Sequence, residues 1–204
     1  MEIKDRILLG AEELFFKYGI KSITMDDIAK HLAISKKTIY HYFDDKNAVV
    51  ETLMKEKLKE DECEFKEIQK ESENVVVEVF NLMKHMSAMF SKINPNIFYD
   101  LQKYHPAAWK MFLAFKEDCM SKMVEKAIAK GIKDKLVRDD VNPKIRAKLR
   151  IEEVVMGMNP DIFPPDKFKI GEVQVALLEH FLHGICTIKG HKLINKYKEI
   201  TEEE

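Results

Sequence analysis

The feature that most narrows the fold is a set of long, apolar-periodic stretches with almost nothing to interrupt them. Only 7 Gly and 6 Pro occur in 204 residues. Apolar residues recur at three- and four-residue spacing, the period of a helix buried along one face. The chain therefore reads as all-α. Hydrophobic residues make up 46% and charged residues 34%, enough for a core and for a charged coat, which excludes a disordered chain. Cys63, Cys119 and Cys186 are widely spaced and odd in number, so a disulfide framework is not expected and a reducing cytoplasm fits. No apolar run is long enough to span a bilayer and no leader with a cleavage site opens the chain. A soluble, cytoplasmic protein without a membrane partner is expected.

Residues 3–18 place Ile3, Ile7, Leu8, Ala11, Leu14, Phe15 and Tyr18 on one helical face, and Gly19 supplies the stop. Short helices are expected from near Thr24 and from near Ser35. A fourth follows Asp44-Asp45 and runs to about residue 70. Its second half, KEKLKEDECEFKEIQKESEN, alternates in charge sign, as a solvated connector between two bodies does. Longer helices are expected over 75–93, over 107–130 with Gly131 as the stop, over 143–158 with Pro143 as first residue, and over 170 to about 198. A short segment ends near His105-Pro106. Loops are expected over 132–142 and over 159–166, and a frayed acidic tail over 201–204. The division is a three-helix unit, 1–48, followed by a larger helical body, 49–204.

The informative stretch is SITMDDIAKHLAISKKTIYHYFDDK, residues 22–46. Thr24 with Asp27 three residues later is a capping-box pattern that starts a helix. Met25, Ile28, Ala29 and Leu32 share one face. Ala33-Ile34-Ser35 makes a tight connection, and Ser35 caps the next helix. Ile39 and Phe43 point to the core. That leaves Lys36, Lys37, Thr38, Tyr40, His41 and Tyr42 on the start and outer face of the third helix. Cations and hydroxyls suit phosphates, and short polar groups suit base edges. In a helix-turn-helix the start of the second helix of the pair enters the major groove, where these residues lie. Bulk charge does not argue for this. The net charge is −1. Lys4, Arg6, Lys17, Lys21, Lys30, Lys36, Lys37 and Lys46 are matched by Glu2, Asp5, Glu12, Glu13, Asp26, Asp27, Asp44 and Asp45. The position of the charges carries the reading, not their sum.

Phe15, Tyr18, Gly19, Thr24, Ile28-Ala29, Ile34-Ser35, Thr38-Ile39-Tyr40, Phe43 and Lys46 together resemble the TetR family of transcriptional regulators over about residues 7–54. Lys37 departs from the pattern, since many members carry Gly there. The resemblance implies double-stranded operator DNA as a partner. Thr24 and Tyr40 would touch phosphates, Lys36, Lys37 and His41 would lie nearest the bases, and Lys46 would grip the backbone. It further implies a pocket for a small, largely apolar ligand and release of a repressor by that ligand. The pocket candidates are Met83, Met86, Phe90, Tyr104, Trp109, Phe112, Phe115, Cys119, Met123 and His180, because flexible Met side chains suit permissive apolar pockets. The last two long helices would make a homodimer, with Val173, Leu177, Phe181 and Ile188 on its face and Gly184 allowing close approach.

His180, His183 and Cys186 do not form a metal set, because at 100° per residue Cys186 swings away from His180. No metal or cofactor is expected. No P-loop, dinucleotide-binding glycine pattern, HExxH or GxSxG is present, which argues against an enzyme. A DNA-binding regulator or architectural protein without an effector remains the alternative.

Overall fold

The computed structural model describes residues 2–90 and 92–197. The acidic tail over 201–204 and the expected helix end at Lys198 lie outside the described residues. The description is all-helical. α1 (Ile3–Tyr18), α2 (Met25–His31) and α3 (Lys36–Tyr42) form the N-terminal unit, and α4 (Lys46–Glu71) leads out of it. α5 (Val75–Phe90), α6 (Ile97–Tyr104), α7 (Pro106–Phe115), α8 (Ser121–Lys133), α9 (Pro143–Gly157), α10 (Ile170–Ile185) and α11 (Ile188–Tyr197) build the remainder.

The helix starts follow side-chain caps. Thr24 and Asp27 complete a reciprocal capping box on α2, Ser35 accepts from Thr38 N, Asp45 accepts from Ala48 N, and Asn142 accepts from Ile145 N. Gly19 ends α1 at φ 81°, a conformation that costs glycine nothing. Ala33 makes the α2–α3 turn at φ 53°, a left-handed position reached here by a residue with a Cβ.

Ile7, Ala11, Ile28, Ile39 and Val49 are fully buried at the centre of the N-terminal core, which also takes in Ile97, Leu101 and Ala108 from α6 and α7. The join is hydrogen-bonded as well. Asn94 N donates to Phe16 O at 2.6 Å, Lys21 N donates to the buried Asp100 carboxylate at 2.8 Å, and His105 Nδ1 donates to Asn47 Oδ1 at 2.7 Å. The helix-turn-helix is thus seated on α6 as well as carried by α4.

Two expected helices differ. The 107–130 helix starts at Pro106, widens through a π-helical turn over Lys116–Met120, and continues to Lys133. Gly131 does not stop it. A Cβ there would stand 2.6 Å from Val137 and 2.9 Å from Val75, so the glycine admits close packing. The expected polar loop over 132–142 buries Leu136 and Val137. The 170–198 helix is two helices. Cys186 is extended, and its neighbours exchange backbone bonds with the earlier loop: Arg138 N donates to Ile185 O, and Thr187 N donates to Leu136 O, both at 2.9 Å. Thr187 Oγ1 then accepts from Gly190 N to start α11.

Candidate DNA-binding face and internal cavities

The outer face of α3 carries what the sequence put there. Tyr40 is 44% and Tyr42 41% exposed, while Ile39 just before them is fully buried. Lys36, Lys37 and His41 are exposed, and the His41 and Tyr42 rings meet edge-on at 5.0 Å. The two lysines differ. Lys36 Nζ lies 2.7 Å from Asp26 Oδ1 and 5.8 Å from the Tyr40 ring centre. The Asp26 hydrogen bond holds that ammonium above the usual lysine range. Among the described residues Lys37 faces no carboxylate. Ser35 and Thr38 are occupied with each other, their hydroxyls 2.8 Å apart at the cap. Thr24 Oγ1 donates to Asp27 Oδ2 at 2.6 Å.

Lys46 stands apart from this face. Its ammonium donates to Ile20 O and Ile23 O, both at 2.6 Å, and so ties the α1–α2 loop to the start of α4. Burial pulls its pKa down, against Asp100 and Asp27. The loop carbonyls of Ile20, Lys21 and Ile23 thus already hold the donor that was expected at the DNA backbone.

Among the described residues two cavities lie in and beside the larger body. The smaller, about 130 Å³, is bounded by α5, α8, α9, α10 and Phe65 of α4. The larger, about 490 Å³, lies between α1 and α4 on one side and α5, α6 and α7 on the other. The first is the size of a single aromatic ring; the second falls within the range of small-molecule sites. Phe65, Met86 and Met120 line both and form the wall between them. Of the pocket candidates, Met83, Met86, Phe90 and Met123 line the smaller cavity, and Phe112 and Phe115 join Met86 on the larger.

Four candidates line neither cavity. Tyr104 is at the surface beneath Lys21 and Lys103. Trp109 packs on Phe112 with ring centres 5.1 Å apart. Cys119 turns its thiol to Met123 Sδ at 3.7 Å. His180 is exposed on α10. The expected dimer face is also turned. Val173 and Phe181 are buried within the chain, and Leu177 packs at Gly157. Ile188 is 79% exposed, and nothing lies within 4 Å of a Cβ at Gly184.

Sequence reasoning missed the polar groups of the smaller cavity: Glu78, Arg150 and Gln174. Glu78 is 1% exposed. Its Oε1 accepts from Gln69 Nε2 at 3.0 Å, and its Oε2 has no partner. Burial pushes this carboxyl above the usual range, against the Gln69 bond. Arg150 lies 3.6 Å from Glu153 Oε2, and burial lowers its pKa against that carboxylate. Gln174 Nε2 donates to Val154 O at 2.8 Å. The available signal was a single charge inside the apolar run Val75–Phe80.

Among the described residues no three His, Cys, Asp or Glu side chains converge to hold a metal ion, and no helix is long and apolar enough to cross a membrane. A capped two-helix reader with an exposed cationic and aromatic face, seated on a hollow helical body, defines a helix-turn-helix transcriptional regulator. The model of the bacterial regulatory proteins of the tetR family matches residues 7–53. The uncharacterized HTH-type transcriptional regulator YvaF of Bacillus subtilis is 26% identical over 185 residues, which cover 88% of this chain and 94% of that one. IcaR of Staphylococcus aureus, the negative transcriptional regulator of the biofilm operon icaADBC, is 40% identical over 53 residues, 26% of this chain and 28% of its own. SmeT, the repressor of the Stenotrophomonas maltophilia multidrug efflux pump SmeDEF, has the same fold in its triclosan complex. Its TM-score is 0.70 at 17% identity, over 91% of this chain and 92% of that one. Residues 7–53 thus match the DNA-binding domain of tetR-family regulators, and nearly the whole chain is similar to an HTH-type transcriptional regulator.

Proposed function

We propose that the protein is a repressor that binds operator DNA as a homodimer and is released when a small, largely apolar molecule enters its helical body. Residues 1–48 read DNA and residues 49–204 sense the effector and dimerise. One observation carries the reading: the larger cavity has α1 and α4, which hold the helix-turn-helix, as one wall and α5–α7 as the other. An occupant pushes directly on the reader. Phe15 and Phe16 of α1 and Val50, Leu53 and Met54 of α4 face that space. The contacts of Asn94, just before α6, to Phe16 and Lys17, and of Asp100 in α6 to Lys21, would transmit any movement of the opposite wall. Repression agrees with the names of IcaR and SmeT, and an apolar effector agrees with the SmeT complex.

On DNA, Lys37, Tyr40, His41 and Tyr42 approach the major groove and its phosphates. Lys36 joins them once it leaves Asp26, while Thr24, Ser35 and Thr38 hold the geometry. Dimerisation uses the exposed apolar stripe Ile145, Leu149 and Met156 on α9 beside the exposed face Ala176, His180 and Gly184 of α10. Two copies then present two α3 helices to successive major grooves.

Ligand and DNA must weaken each other by the same factor. The test is fluorescence anisotropy on DNA from upstream of the protein's own gene, beside scrambled DNA, with and without lipophilic compounds that raise its melting temperature. Specific binding at about 10⁻⁸ M, lost in Tyr40→Ala and weakened by a bound compound, is expected. A compound that binds tightly and leaves DNA affinity unchanged contradicts effector release. Equal, salt-sensitive binding to both DNAs contradicts operator recognition.

A further inference from the structure

We infer that the smaller cavity is the headgroup site for an amine: Glu78 holds a cationic nitrogen while the surrounding apolar wall holds a ring or the start of a longer apolar body. This rests on the effector reading above and narrows the chemistry of its ligand. Glu78 sits on α5 amid Val75, Val76 and Val79, 1% exposed, with Oε2 unpartnered on the cavity wall. Its one hydrogen-bond partner is the neutral Gln69 amide, and among the described residues no Lys or Arg stands within ion-pair distance of it. A buried carboxylate without a donor is costly. A ligand that brings an N–H⁺ removes that cost, so the site selects for it.

The sign of the charge follows from the neighbours. Arg150 is the other charged group on this wall, and it already faces the Glu153 carboxylate at 3.6 Å. An incoming anion meets the Glu78 carboxyl and a guanidinium already opposed by Glu153, whereas an incoming cation finds the unpartnered Oε2 of Glu78. The wall itself agrees. Phe65, Phe90 and Phe181 line it, aromatic rings attract cations to their faces, and the sulfurs of Met83, Met86 and Met123 are polarisable. At about 130 Å³ the cavity accepts one six-membered ring. A longer body passes the Phe65–Met86–Met120 wall into the larger cavity.

Three probes with one ring and different charge test this on the full-length protein: benzylamine, benzyl alcohol and benzoate, by isothermal titration calorimetry. Benzylamine is expected to bind at least about tenfold tighter than benzyl alcohol, the yield of a charge-assisted hydrogen bond. Benzoate is expected to be weakest. The preference should fall to within about twofold in Glu78→Gln. A structure of the benzylamine complex should place its nitrogen within hydrogen-bond distance of Glu78 Oε2, which decides the matter even where the variant fails to fold. Equal binding of all three, or benzyl alcohol best, overturns the amine assignment and leaves an apolar effector standing. Benzoate best, with loss in Arg150→Met, overturns it with the charge reversed. No binding of any probe overturns the site itself. If benzylamine binds as expected but no cavity ligand releases DNA, the site stands and effector release fails.

Discussion

Lys36 and Lys37 are neighbours in sequence and unequal in the fold. Lys36 is already paired with Asp26, so a phosphate must compete for it; Lys37 is available outright. Lys37→Ala should therefore lower the slope of log affinity against log salt by about 0.9, the value for one phosphate contact, and Lys36→Ala by clearly less. Anisotropy across a salt series reads both. Lys46 makes the opposite point. Lys46→Met should cost about 1–2 kcal/mol of stability in urea, because loop carbonyls lose a charged donor that is only partly shielded from water. Unchanged stability with reduced DNA affinity would restore a phosphate contact to it. Thr24, Asp27 and Ser35 were legible because a cap is set by spacing within a few residues. Lys46 was not, because its acceptors come from a loop that reaches it only in the folded chain.

Helices were legible where their stops are local and illegible where a distant segment makes them. Nothing in the residues around Cys186 announces a break. It arises because the loop at Leu136–Arg138 takes over the backbone bonds there, and because Gly190 lets α11 close on that loop, its missing Cβ only 2.3 Å from Leu136 O. One cavity candidate, Cys119, was misplaced for a related reason. Phe112, Phe115 and Cys119 share a face on an unbroken helix, but the π-helical turn at Lys116–Met120 holds an extra residue and slips the register. Met120 faces the cavities in place of Cys119. The turn also brings Lys116 in to Glu152 at 2.9 Å, fastening it to α9. The junction of α6 and α7 makes a pH prediction. Burial lowers the pKa of His105 below its ordinary 6.5, helped by Lys46 and opposed by Asp100 and Asp45. The unfolded chain then takes up this proton first. The stability from neutral His105 is complete above pH 6.5 and drains away as pH falls through the lower folded value. Melting temperature should drop between pH 7 and pH 5, and drop less in His105→Gln.

At the scale of the molecule, the order of helices and the place of the reader could be read from periodicity and caps, whereas the choice of surface could not. Val173 and Phe181 look like an interface from their spacing, yet they fill the chain's own core, and the apolar stripe left outside is on α9. Leu149→Glu with Met156→Glu should give a folded monomer in sedimentation velocity. Its affinity for a two-half-site operator should fall by about a hundredfold or more, since the second half-site no longer benefits from tethering. The ion pair between Asp26 and Lys36 has a kinetic corollary. With the reading face partly neutralised by its own chain, and acids matching bases throughout residues 1–47, the protein approaches DNA with little long-range pull. Arrival is then governed by diffusion and orientation, and added salt shortens the time spent on the operator far more than it delays the encounter.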